Sequence, residues 1–322
     1  MGRAAVRRVA VLDDYLGLAR ELGPWDRIAP PVALEVFTDH LADEDAVARR
    51  LAPFEIVVLN RERTPFPRTL IARLPRLEYL VTFGHRNRSI DLAALRERAI
   101  PVSGTVDEFH HVAELAWGLI LALARNIVRE DRALRDGAWQ GAIGSTVRGK
   151  TLGLLGLGRI GGEIARIGSG FGVDSIAWSE NLTPARCAEI GARLVARDAL
   201  FAEADYLVVA LVESARTRGL VGRRELHLMR PSAFLVNVSR AGIVDQAAMI
   251  AALGERRIAG AALDVFDVEP LPPDHPLRRL DNALLTPHIG NFTREMWLGR
   301  FGQVMENIQE YQRGRIVRPV EG

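Results

Sequence analysis

Three glycines in the run LGLLGLGRIGGEIA, Gly156, Gly158 and Gly161, stand in G-x-G-x-x-G spacing between an apolar strand-like stretch and an amphipathic helix-like one. The pattern suits a dinucleotide diphosphate for three separate reasons. Gly156 permits a tight turn, Gly158 leaves room for a pyrophosphate to approach the backbone, and Gly161 lets helix and strand pack closely. The helix that follows, opening at Arg159, Ile160 and Gly161, offers N–H groups without intrahelical partners and the positive end of its dipole.

A dinucleotide fold usually places an acid at the tip of its next strand, about 20 residues past the glycines, to hold the ribose diol. Here the tip reads IAWSENLT, and Ser179, 18 residues past Gly161, occupies that place. Glu180 follows and, on a strand end, points the other way. Without a carboxylate at Ser179 the main barrier to a 2′-phosphate is removed, and Asn181, Thr183 and Arg186 are donors for one. The other reading has Glu180 swing in to grip the ribose, so NAD and NADP both stay open.

Three further strand ends carry chemically capable side chains: Arg240 in NVSRAGIVD, Asp264 and Glu269 in AALDVFDVEPL, and His288 in LLTPHIG. In open α/β sheets, ligands gather outside the carboxyl ends of the strands. Singly, each residue has a plain structural reading as surface arginine, strand-end cap, loop acid or turn histidine. Their occurrence at successive strand ends points to a shared site.

The elements that must position these residues alternate from end to end, the pattern of parallel α/β architecture. VAVLD (9–13), ALEVF (33–37), EIVVL (55–59) and LEYLVT (77–82) are predicted strands, with helices at 43–51 and 91–98 between them. A long helix is predicted over about 107–134, apolar on nearly every side around Trp117, Leu119, Ile120 and Leu123. It reads as a domain connector covered all round. Six strands follow: TLGLLG (151–156), DSIAW (174–178), YLVVAL (206–211), AFLVNV (233–238), GAALDV (260–265) and ALLT (283–286), then a final helix at 293–312. The fold class expected is α/β, two doubly wound Rossmann-like domains with one inserted in the other.

Composition narrows the function. With 322 residues, 48% of them apolar, the chain can bury the cores of two domains. A formal charge of +2, with arginines and acids interspersed, does not suggest nucleic-acid binding. The N-terminal MGRAAVRRVAVLDDY has no apolar run of signal-peptide length, and the apolar stretch 115–124 is about half of the roughly 20 residues a bilayer requires, so a cytoplasmic protein without a membrane span is expected. One cysteine, Cys187, excludes an internal disulfide or thiolate cluster, and one lysine, Lys150, argues against Schiff-base chemistry. Only His110 and His111 are adjacent among seven histidines; helical neighbours point apart, so no metal site is expected.

Together the strand-end signatures, GKTLGLLGLGRIG and the helix VAELAWGLILALAR resemble the D-isomer-specific 2-hydroxyacid dehydrogenase family, in its order and over essentially the whole chain. The resemblance implies a substrate domain, flavodoxin-like, from residues 1–102 and 291–322, and a dinucleotide-binding domain from 103–290, with the active site in a cleft. It implies NAD(P)-dependent reduction of a small 2-keto acid, such as glyoxylate or hydroxypyruvate, to the D-2-hydroxy acid, and a homodimer through the long apolar helix. Arg240 resembles the arginine that holds the substrate carboxylate, His288 the catalytic acid/base, Glu269 the partner that orients the imidazole, and Asp264 a residue near the nicotinamide carboxamide. The family's substrate loop here reads VTFGHRNRSID. It keeps Gly84 and Asn87 but carries His85, Arg86 and Arg88, and either arginine can read a second anionic group or stay solvated. Ala241 stands where glycine is common. Two siblings remain: formate or phosphite oxidation, the former disfavoured because formate dehydrogenases pair the histidine with glutamine, and a nucleotide-sensing partner protein of corepressor type.

Overall fold

The computed structural model describes residues 6–106 and 108–320, and the chain divides into two compact units: 1–108 with 294–322, and 109–293. Asp107, where the long helix is expected to begin, lies outside the described residues, as do residues 1–5 of the N-terminal stretch.

The first unit is a five-stranded parallel sheet of β1 (Arg8–Val11), β2 (Ala33–Val36), β3 (Ile56–Leu59), β4 (Tyr79–Thr82) and β5 (Val102–Ser103), in the order β2-β1-β3-β4-β5. Its central strands IVVL and YLVT are buried at every residue, as strands covered on both faces must be. Two of its short helices, Glu44–Leu51 and Leu92–Glu97, start on aspartate caps: Asp43 accepts from Ala46 N at 2.8 Å, and Asp91 from Ala94 N at 2.8 Å. The closing helix Arg294–Gln312 buries Trp297, Phe301, Val304 and Ile308, spaced four, three and four apart. Trp297 and Phe301 meet Phe83, at the end of β4, edge-on at 5.4 and 5.6 Å.

The second unit is a seven-stranded parallel sheet: β6 (Thr151–Leu155), β7 (Asp174–Trp178), β8 (Arg193–Leu194), β9 (Tyr206–Val209), β10 (Phe234–Asn237), β11 (Gly260–Leu263) and β12 (Ala283–Leu285). The order is β12-β11-β10-β9-β6-β7-β8. It reverses between β6 and β9, the topological switch point where such sheets bind ligands, and the glycine-rich turn leaves β6 there.

The structure departs from the sequence expectations in three places. The two-residue strands β5 and β8 are additional, too short to show a periodicity. The long helix is two, His110–Ala124 and Ile127–Arg135, bent by 60° at Asn126, whose φ of 53° is left-handed, a conformation asparagine tolerates better than most residues. No single helix among the described residues is long and apolar enough to cross a membrane. Finally, the rings of His110 and His111 do not point apart: at the first turn of their helix their centroids lie 3.7 Å from each other, and His111 Nδ1 is 3.0 Å from Thr293 Oγ1.

Candidate active site

Two of the three glycines meet a steric demand within the chain, and the third leaves space for a ligand. Gly156 has φ 105°, and a Cβ there would lie 2.9 Å from Ala210 O. A Cβ on Gly161 would lie 2.1 Å from Gly156 O, so only glycine lets this helix sit against the turn. Gly158 faces open space, with nothing within 4 Å of its Cβ position. The helix Arg159–Phe171 begins there, so the N–H groups of Arg159, Ile160 and Gly161 face that space without intrahelical partners. A small cradle lined by helix-start donors fits the diphosphate of a dinucleotide. Arg159 also lies over the Phe109 ring at 4.1 Å.

At the tip of β7, Ser179 is half-buried and Glu180 and Asn181 are exposed. Ser179 O accepts from Leu182 N at 3.1 Å, closing a turn. Thr183 caps the helix Pro184–Ile190, its hydroxyl accepting from Arg186 N. Arg186 folds back over the glycine turn: Nε donates to Leu157 O at 3.2 Å, and Glu189 pairs with Nη1 at 2.8 Å. One of its guanidinium nitrogens therefore borders the cradle at Gly158 and Gly162.

The strand ends of β10, β11 and β12 bring the other group together. Asn237, the last residue of β10, accepts from Ser239 N at 3.1 Å and donates to Arg240 O at 3.1 Å, so its amide sets the turn that presents Arg240. Glu269 and His288 meet directly, Oε2 to Nδ1 at 2.7 Å, with both side chains 35% exposed. Glu269 Oε1 accepts from Phe266 N at 2.9 Å. Burial pushes the Glu269 carboxyl up, but the hydrogen bond and charge of His288, the Phe266 amide and the charge of Arg240 outweigh it, and the group is held below the usual carboxylate range. Arg240, Glu269 and His288 thus share one electrostatic neighbourhood.

His288 is held in left-handed backbone, φ 55°, unusual for a non-glycine residue. Asp264 explains how. It is 1% exposed, and its oxygens accept from Thr286 Oγ1 at 2.7 Å, Ile289 N at 2.8 Å and Gly290 N at 2.8 Å, bracketing the histidine turn. Burial nevertheless pushes the Asp264 carboxyl above its ordinary range. All the bonds of its carboxylate are to the turn, the capping arrangement common for an aspartate that ends a strand. Asn237 and Thr286 are residues the sequence reading passed over; an asparagine closing a strand two residues before the next turn is the signal that could have found the first.

In the first unit, the loop after β4 holds Gly84, buried with φ 85°, its N–H donating to Thr105 Oγ1 at 2.9 Å. His85, Arg86 and Arg88 are exposed. Asn87 is 5% exposed, and its amide donates to Arg61 O and Thr82 Oγ1 and accepts from Ser89, so it shapes the loop from within.

A glycine-rich strand-to-helix turn at the switch point, with a histidine–carboxylate pair and an arginine at neighbouring strand ends, defines a nicotinamide-dependent dehydrogenase class. The chain belongs to the D-isomer-specific 2-hydroxyacid dehydrogenase family, whose NAD binding domain matches residues 117–290. Glyoxylate reductase of Aeropyrum pernix is 38% identical over 91% of this chain and 87% of its own. D-3-phosphoglycerate dehydrogenase of Archaeoglobus fulgidus is 34% identical over 88% of this chain and 54% of its own. The crystal structure of phosphoglycerate oxidoreductase from Vibrio cholerae superposes with a TM-score of 0.91 at 34% identity, over 96% of this chain and 100% of that one. The protein is an oxidoreductase that moves a hydride between NAD(P)H and the pair of a 2-keto acid and its D-2-hydroxy acid.

Proposed function

We propose that Arg240, Glu269 and His288 carry this reaction on a small 2-keto acid such as glyoxylate or hydroxypyruvate. The observation that carries the reading is the 2.7 Å bond from His288 Nδ1 to Glu269. With Nδ1 engaged, the proton is given and taken at Nε2. Bound nicotinamide supplies the hydride to the carbonyl carbon. His288 delivers a proton to the carbonyl oxygen in reduction and recovers it in oxidation. Glu269 keeps the imidazole in register, and the planar fork of Arg240 holds the substrate carboxylate. Gly84, His85, Arg86, Asn87 and Arg88 form the substrate loop, where Arg86 or Arg88 reads a second anionic group. The domain roles follow: residues 1–102 and 291–322 serve the substrate, 103–290 the cofactor.

For the cofactor we assign Gly156, Gly158, Arg159, Ile160 and Gly161 to the diphosphate, and Ser179, Glu180, Asn181 and Arg186 to the adenosine ribose. The missing acid at Ser179 and the guanidinium of Arg186 beside the cradle favour acceptance of NADPH at least as readily as NADH. The enzyme acts in the cytoplasm as a homodimer.

The test follows reduced-nicotinamide absorbance with NADH and NADPH against glyoxylate, hydroxypyruvate, pyruvate, phenylpyruvate and phosphohydroxypyruvate. Turnover of at least one acid is expected, with kcat lowered roughly 10²- to 10⁴-fold in His288→Asn while nucleotide binding persists. Comparable turnover by that variant removes His288 from its role. Arg186→Gln is expected to weaken NADPH selectively; an equal loss for both nucleotides refutes the phosphate assignment.

A further inference from the structure

The first unit contains a hydrogen-bonded group that the reaction as proposed does not use. Asp13, two residues past β1, is 2% exposed and has left-handed backbone, φ 56°. Its Oδ1 accepts from His40 Nδ1 at 2.8 Å, in the loop after β2, and its Oδ2 from Thr64 Oγ1 at 2.6 Å, in the loop after β3. Its backbone carbonyl accepts from Asn60 Nδ2 at 3.1 Å and Arg63 Nη1 at 2.9 Å. One residue therefore ties together the loops that follow three strands, at the β1/β3 border where the sheet order reverses. The neighbouring Asp14, also 2% exposed, accepts from Leu18 N and Ala19 N and fixes the chain beyond.

The bonds continue toward the loop after β4. Asn87 Nδ2 donates to Arg61 O at 2.7 Å and to Thr82 Oγ1 at 3.0 Å, while its Oδ1 accepts from Ser89 N and Ser89 Oγ. Segment 60–64 is thus held at one side by Asp13 and grips Asn87 at the other. Asn87 in turn sets the loop that displays His85, Arg86 and Arg88. A buried carboxyl group and a strained backbone both carry a cost, and they persist where surrounding bonds over-determine them. Packing alone would be served by an apolar residue in a relaxed conformation. What the aspartate adds is direction: two oxygens and a carbonyl that fix where segment 60–64 lies.

We propose that Asp13 is a positioning residue for the substrate loop, acting through Thr64, Asn60 and Arg63 on segment 60–64 and through Arg61 O on Asn87. The proposal rests on the reading of residues 84–88 as the substrate loop. It predicts that loosening the Asp13 corner disturbs binding of the keto acid before it disturbs chemistry, since no reacting atom is touched.

The experiment uses the full-length enzyme and three variants. Thr64→Val removes the hydroxyl at nearly constant volume, Thr64→Ser restores it, and Asp13→Asn keeps a residue at ease in left-handed backbone while removing one acceptor oxygen. In Thr64→Val and Asp13→Asn, KM for the best keto acid is expected to rise about tenfold with kcat within about twofold, the scale of one lost bond to a charged group. Thr64→Ser is expected to stay near the wild type. Hydrogen exchange read by mass spectrometry is expected to quicken over residues 83–90 and stay unchanged over 151–161. Unchanged KM and unchanged exchange in folded variants overturn the proposal, as does faster exchange in both segments together, which marks general destabilisation. If the wild type turns over no keto acid, the substrate-loop reading fails, and exchange over 83–90 still decides the positioning role. Should Thr64→Val not fold, Asp13→Asn carries the same measurements.

Discussion

His288 occupies a backbone conformation that costs on the order of 1–3 kcal/mol for a non-glycine residue, and its ring is fixed by Glu269 on one side. The strain is held by Asp264, which makes Asp264→Asn informative. An amide in place of the carboxylate cannot accept from Thr286, Ile289 and Gly290 as before, and leaves a buried donor unsatisfied. A loss of about 1–3 kcal/mol in denaturant unfolding is expected, together with lower kcat, because the histidine turn relaxes. Retained kcat would show that the turn holds itself. Glu269→Gln separates orientation from charge. Turnover should fall by up to roughly 10⁴-fold, the scale reached when a carboxylate that orients a catalytic imidazole becomes an amide. The pH dependence has a definite sign. The fold depresses the Glu269 carboxyl below its ordinary value of 4.5, so its contribution to stability is full at neutral pH, shrinks as pH falls past 4.5 and is gone below the depressed value. The melting-temperature gap between wild type and Glu269→Gln should follow that course; a gap that widens on acidification would mean the carboxyl is held protonated. The placement of Arg240, Glu269 and His288 beyond successive strand ends was legible in the sequence because each follows its strand by three to six residues. The bracket around His288 was not, because Asp264 and Gly290 are 26 residues apart and meet only when β11 and β12 pair.

At the scale of elements, the alternation of apolar runs identified every strand of four or more residues, while β5 and β8 escaped. A two-residue strand has no period to read; it exists because a neighbouring strand offers it a ladder. The helix break at Asn126 was equally hidden, since apolar periodicity runs on toward Leu134 while one left-handed residue turns the axis. What periodicity did announce was the burial of Trp117. Its ring stacks on Phe171 at 4.6 Å, its Nε1 donates to Ile164 O at 2.8 Å, and a Cβ on Gly168 would lie 2.8 Å from it. Those partners all belong to the helix that starts at the glycine-rich turn. Trp117→Ala should therefore destabilise the second unit by roughly 3–5 kcal/mol and weaken nucleotide binding with it. Trp117→Phe keeps the stack and forfeits the hydrogen bond, for about 1 kcal/mol. Denaturant unfolding followed with and without NADH checks both, and an alanine variant as stable as the phenylalanine one would show that the ring does not anchor that helix.

At the scale of the molecule, the feature that most needs a partner is the helix Ile127–Arg135, which buries none of its residues. Ile127 is 52% exposed and Leu134 57%, and the segment that folds back along them adds Trp139 at 78% and Ile143 at 100%. That segment is tied down, Gly141 N donating to Glu130 at 3.0 Å and Asn126 Nδ2 to Ile143 O at 3.3 Å, so it presents its apolar side chains from a fixed backbone. Large apolar groups concentrated in one ordered stretch suit the surface of the proposed homodimer, because a two-fold pairing lets the same patch cover itself. Light scattering on the purified protein should give twice the 35.5 kDa chain mass. The double variant Trp139→Glu with Ile143→Glu should give the single chain, because four like charges brought together at the axis oppose association. It should also keep its fold by circular dichroism, since neither side chain contributes to a core. A wild type that is monomeric at micromolar concentration, or a variant that still pairs, would place the dimer surface elsewhere or remove it, and would leave the exposure of Trp139 and Ile143 to be explained by a different partner.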